Sequence, residues 1–119
     1  MADKLTEALL VFVEHCPHVV STHDLVTKIR IELTHNHILD LYFREATDQY
    51  SYTIARGNQR LLGWDNAPHY PDLPNAPHHF HREDGGVEAS TLTGDPVQDV
   101  RAIAERINRL FADADKPSR

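Results

Sequence analysis

The feature that most restricts how this chain can fold is a change in its hydrophobic period. Between residues 29 and 54, apolar side chains recur at every second position: Ile29, Ile31 and Leu33, then Leu39, Leu41 and Phe43, then Tyr50, Tyr52 and Ile54. Polar residues such as Lys28, Arg30, Glu32 and Asp40 fill the places between. Period two with one polar side is the pattern of half-buried strands. At both ends of the chain the period lengthens to three and four. Leu5, Leu9, Phe12, Val13 and Cys16 predict a helix over residues 6–16 that Pro17 stops. Val97, Val100, Ile103, Ala104, Ile107, Leu110 and Phe111 predict a second, with Asp95 as cap, Pro96 in its first position and Gln98 as capping-box partner.

Between these regions, Gly57-Asn58 is a turn signal and residues 61–64 predict a short fourth strand. His79-Phe80-His81 and Val87-Glu88-Ala89 flank Asp84-Gly85-Gly86, a hairpin turn. A sheet with one apolar face must bury it, and the two terminal helices are the available cover. The expectation is an α+β fold: one domain over residues 1–114, with an antiparallel sheet of about four to six strands. An N-terminal and a C-terminal helix pack on one face of it, and residues 115–119 form a disordered tail, with fraying from Asp113. A chain of 119 residues holds one such core and no second domain.

Composition narrows the function. The net charge of -6 argues against a whole-surface nucleic-acid coat. Cys16 is the single cysteine, so no internal disulfide and no cysteine zinc site can form. No apolar run reaches membrane-span length and no signal peptide is recognisable, so a cytoplasmic setting without membrane contact is expected. Nine histidines are the anomaly. His15, His18, His23, His35 and His37 sit at helix ends and turns, where solvated or capping roles suffice.

The other four, His69, His78, His79 and His81, lie in one stretch with Pro68, Pro71, Pro74 and Pro77. The three-residue proline spacing predicts a polyproline II segment, and the tetrapeptide Asn-Ala-Pro-His occurs in it twice. If Phe80 faces the core, His79 and His81 project together from the outer face of their strand. Metal-free RNA cleavage needs a base, an acid and a cation for the phosphoryl charge. His69 with one of His79 or His81 can supply the acid–base pair, and Arg60 or Arg82 the phosphate contact. Asp65 and Asn66 would orient the histidines or the substrate, His78 would add a contact, and Trp64 or Tyr70 could stack a base. No cofactor is then required. The competing reading is a metal-binding or protein-interaction module without turnover, in which His69, His79 and His81 hold zinc or another divalent transition metal. Asp65 or Asp72 could equally complete that site.

The run Trp64-Asp65-Asn66-Ala67-Pro68-His69, followed by Pro71, by Pro77-His78-His79-Phe80-His81 and by the acidic Gly-Gly turn, resembles the TumE family of small bacterial and archaeal proteins. The resemblance is most specific over residues 61–90. It implies a cytoplasmic toxin of a toxin–antitoxin pair, an antitoxin that is a small DNA-binding protein encoded alongside, and RNA as the target. Carried onto this chain, the family-like positions are Trp64, Asp65, Asn66, Pro68, His69, His78, His79 and His81. A bound antitoxin would mask the histidine-rich strip, and a homodimer is left open.

Overall fold

A computed structural model describes residues 3–114. Helix α1 (Lys4–His15) leads into strands β1 (Val19–Asp24), β2 (Lys28–Leu33), β3 (His37–Arg44), β4 (Gln49–Arg56), β5 (Gln59–Asp65), β6 (His79–His81) and β7 (Val87–Ala89), and helix α2 (Pro96–Ala114) closes the fold. The strands form one antiparallel sheet in sequence order, each paired with the next. This is the expected α+β arrangement with seven strands instead of four to six. The added strand is β1. Its residues carry no apolar alternation and Val20 is 63% exposed, because an edge strand is held by backbone pairing to β2 without burying a full side-chain face.

The three alternating sets all turn the same way. Ile29, Ile31, Leu33, Leu39, Leu41, Phe43, Tyr50, Tyr52, Ile54, Leu62, Trp64 and Phe80 line one buried face. Ala8 and Phe12 of α1, with Val100, Ile103, Ala104, Ile107 and Phe111 of α2, complete the same core. Among the described residues no helix is long and apolar enough to cross a membrane. Asp3 caps α1, accepting a hydrogen bond from Thr6 N at 2.8 Å, so the helix starts two residues before the expected position. At α2, Asp95 accepts from Val97 N at 3.1 Å as a cap should. The partner expected at Gln98 is instead Asp99, whose carboxylate accepts from Thr93 N, Thr93 Oγ1 and Gly94 N. One residue further along, it reaches back to the approach loop and not to the cap. Helix α2 extends to Ala114 and so includes Asp113, the expected start of fraying; the expected disordered tail lies outside the described residues.

Three of the histidines read as solvated gather instead around one ring. His18, His35 and His37 place their rings 4.6, 5.7 and 4.7 Å from that of Phe111, and His37 is buried at the start of β3. The chain reverses at His35 and Asn36, both at positive φ, as a tight hairpin requires. That reversal delivers His37 to the core face.

Candidate functional site

The opposite face of the sheet carries the chemistry, and register decides what meets there. Asp65 pairs with His79 across β5 and β6, and Gly63 pairs with His81. In an antiparallel pair, opposite residues share a face, so Asp65, His79 and His81 project together while Trp64 and Phe80 point to the core. His79 Nε2 lies 2.9 Å from Asp65 Oδ1. His81 Nε2 donates to Oδ2 at 3.0 Å. Oδ1 also accepts from Ala67 N at 2.9 Å, which fixes the carboxylate plane. One carboxylate thus holds two imidazoles.

The two histidines differ in access. His79 is 1% exposed: Tyr70 packs against its ring at 4.7 Å and its Nδ1 donates to Pro77 O at 3.0 Å. His81 is 24% exposed, and its Nδ1 has no partner among the described residues. It lines a concavity of about 200 Å³ together with Arg60, Leu61, Arg82, Glu83 and Gly85.

Arg60 reaches this side because the β4–β5 ladder is irregular between Ile54 and Ala55, so that Ala55 faces Arg60 while Ile54 faces Leu62. Without that extra residue, Arg60 would share the core face of Leu62 and Trp64. The bulge re-aims it. Its guanidinium then lies over Gly63, with Nη2 3.1 Å from where a Cβ would stand, and it forms no ion pair among the described residues. Arg82, the other sequence candidate, is committed elsewhere. It bonds Asp84 at 3.1 Å and Glu88 at 3.3 Å, folded over Gly86 of its own hairpin.

The proline-rich connection, residues 66–78, is a chain of turns and not a polyproline II helix. Leu73 N bonds Tyr70 O, Ala76 N bonds Leu73 O, and His78 N bonds Asn75 O, whereas polyproline II makes no internal hydrogen bonds. The repeated Asn-Ala-Pro-His has a structural use. Asn66 bridges the start of β4, accepting from Tyr50 N and donating to Asp48 O, and Asn75 donates to Ser90 O and Leu92 O. Asn66 thus ties the loop to the start of β4, and Asn75 ties it to the connection between β7 and α2.

The remaining sequence candidates are dispersed. His69 is exposed and stands apart from the three-residue cluster, beside Asn66 and Pro68. His78 turns to the core side, where its Nδ1 hydrogen-bonds with the Tyr50 hydroxyl at 2.9 Å. Trp64 is 7% exposed with its ring 5.1 Å from Phe80, so it packs the core; Tyr70, 38% exposed, is the aromatic at the cluster. Sequence reasoning had no signal for Gly63 as the floor beneath Arg60. A glycine inside a strand, three residues from a candidate arginine, could have served as one.

Among the described residues, Asp65, His79 and His81 are the group able to hold a metal ion, with potential ligand atoms all within 4.8 Å of one another. The chemistry open to the site is proton transfer at His81, anion binding at Arg60, or metal ligation by the three.

Comparison with curated proteins and with solved structures returns no match. The family model described as Toxin TumE, in contrast, matches residues 6–113, which take in nearly all of both helices, all seven strands and the proline-rich loop. On that match over nearly its whole length, the chain belongs to the TumE toxin family.

Proposed function

We propose that this toxin acts on RNA at the outer face of β5 and β6, with His81 as the histidine that touches the substrate. Family membership makes the chain the toxin component of a toxin–antitoxin system and implies a cognate antitoxin. The observation that carries the finer reading is His81, half-buried on Asp65 and sharing one concavity with Arg60, which forms no ion pair among the described residues. With Nε2–H donated to Asp65, the free Nδ1 lone pair accepts a proton from a ribose hydroxyl, while Arg60 neutralises charge on the phosphoryl oxygens. Asp65 fixes ring orientation, and buried His79 faces Asp65 from the other side. An acidic chain with one small basic concavity suits a short RNA contact better than an extended one. The antitoxin, a small DNA-binding protein, would cover this face.

Inducing the chain alone, with growth and total RNA integrity followed together, tests the reading. Wild type is expected to arrest growth with RNA fragmentation, and His81→Ala and Arg60→Ala to lose both. Arrest with intact RNA would overturn the RNA assignment, and undiminished toxicity of both variants would overturn the site.

A further inference from the structure

His79 presents a conflict of lone pairs. Pro77 O can only accept, so the Nδ1 that bonds it at 3.0 Å carries a proton. In a neutral ring that leaves Nε2 as a bare lone pair, 2.9 Å from a carboxylate oxygen in a site where the ring is 1% exposed. Two acceptors at that distance require a cation between them. A proton can serve, but the surroundings are those of a metal ligand. A ligating histidine ordinarily donates its other nitrogen to a backbone carbonyl or carboxylate, which fixes the tautomer and aims the lone pair at the ion. His79 makes that bond to Pro77 O, and Asp65 Oδ1 is in turn oriented by Ala67 N.

From these observations we propose that Asp65, His79 and His81 bind one divalent transition-metal ion, zinc being a fitting example. Two imidazoles and one carboxylate are a donor set that borderline ions accept. Ligands at about 2.1 Å from a tetrahedral ion stand about 3.4 Å apart. His79 Nε2 stands 2.9 Å from Oδ1 and His81 Nε2 3.0 Å from Oδ2 of the same carboxylate, and the ligand atoms taken one per residue lie within 4.8 Å of one another. The ring of His81, at the exposed end, closes the remainder by rotation. Of the third ligands the sequence offered, His69, Asp65 and Asp72, the structure groups Asp65 with His79 and His81 and leaves His69 outside. His81 also lines the concavity that holds Arg60, so the proposed ion and that concavity share one residue. With the ion on Nε2 the proton of His81 sits on Nδ1, which then donates towards the concavity, so the base role proposed above belongs to the metal-free chain.

The proposal does not depend on RNA being the substrate. The full chain, purified without an affinity tag and stripped with chelator, is titrated with zinc chloride by calorimetry and with cobalt(II) by visible absorption. One ion per chain is expected, with nitrogen-ligand d–d bands in the cobalt spectrum. Affinity should fall at least about tenfold in His81→Ala and in Asp65→Asn, and stay unchanged in His69→Ala. Because loss of buried His79 could unfold the loop, the exposed-side variant His81→Ala, checked by circular dichroism, carries the test. No saturable binding, or equal affinity in wild type and folded His81→Ala, would overturn the metal centre. Zinc binding together with intact RNA in arrested cells would leave it standing and remove only the RNA reading.

Discussion

Asp65 is the residue on which loop, strand pairing and site chemistry converge, and replacing it by asparagine or by alanine separates three contacts that otherwise act together. Its carboxylate receives Ala67 N, faces His79 Nε2 and accepts from His81 Nε2. Asparagine keeps the shape but turns one oxygen into an NH₂ group. If the carbonyl stays toward Ala67, the amide donates to His81, which changes tautomer to accept, and His79 loses its counter-charge. If the amide flips, it donates to His79 but opposes the Ala67 N–H. Either orientation satisfies two of the three contacts, so the loss is about one hydrogen bond, roughly 0.5–1.5 kcal/mol. Alanine removes all three and leaves the Nε2 of a buried ring without a partner. Two lost hydrogen bonds at about 1 kcal/mol each, plus about 1–3 kcal/mol for the orphaned ring nitrogen, give roughly 3–5 kcal/mol. Urea unfolding at neutral pH in chelator, followed by tryptophan fluorescence, reads both, since Trp64 adjoins Asp65 in β5. The expected order is a small loss for Asp65→Asn and one about four times as large for Asp65→Ala, with unchanged m-values. Equal losses in the two variants, or a loss below about 0.5 kcal/mol for alanine, would refute the three-contact account.

Other outcomes follow from the same structure. Tyr52 is fully buried and its hydroxyl has no partner among the described residues, so Tyr52→Phe should stabilise by about 1–2 kcal/mol, whereas Tyr50→Phe, which cuts the bond to His78, should destabilise by about 0.5–1.5 kcal/mol; urea midpoints of opposite sign check this. Burial first, then the negative charge of Asp99, pushes both phenols above the ordinary tyrosine value of 10.0. Their contribution is complete below pH 10, where both states keep the proton. It falls as pH rises towards the folded-state values, because the unfolded chain alone releases protons there. Thermal melts between pH 9 and 12 should show that decline, and a smaller one in Tyr52→Phe. A Cβ at Gly63 would stand 3.0 Å from Tyr52 O and 3.1 Å from Arg60 Nη2, so Gly63→Ala should dislodge Arg60 and reduce toxicity as far as Arg60→Ala does. The double variant should be no worse than Arg60→Ala alone in the same growth assay; an additive loss would mean that Gly63 acts by another route.

Much of the fold was legible because its code is local. The alternation at Ile29 to Ile54 assigns each side chain a face, and the terminal stripes mark the helices that cover it, whatever the rest of the chain does. Strand β1 was not legible, since Val19–Asp24 has no apolar alternation and is held through backbone atoms that carry no side-chain signature. His37 was misplaced for a related reason: as a turn residue by sequence it reads as solvated, while the reversal at His35 and Asn36 carries it under Phe111.

By itself the sequence determined the kinds of element and their faces, the histidine-rich stretch as the place of interest, and the family resemblance. It also determined that His79 and His81 share a face, because period two needs no partner to be true. Only the tertiary structure decided which groups complete that pair. The β5–β6 register across residues 66–78 puts Asp65 opposite His79, a turn-built loop holds His69 apart, and a bulge brings Arg60 over Gly63. These are contacts between segments distant in sequence, fixed by hydrogen-bond register and by what the core must bury. A one-residue slip would have sent every one of them to the other face.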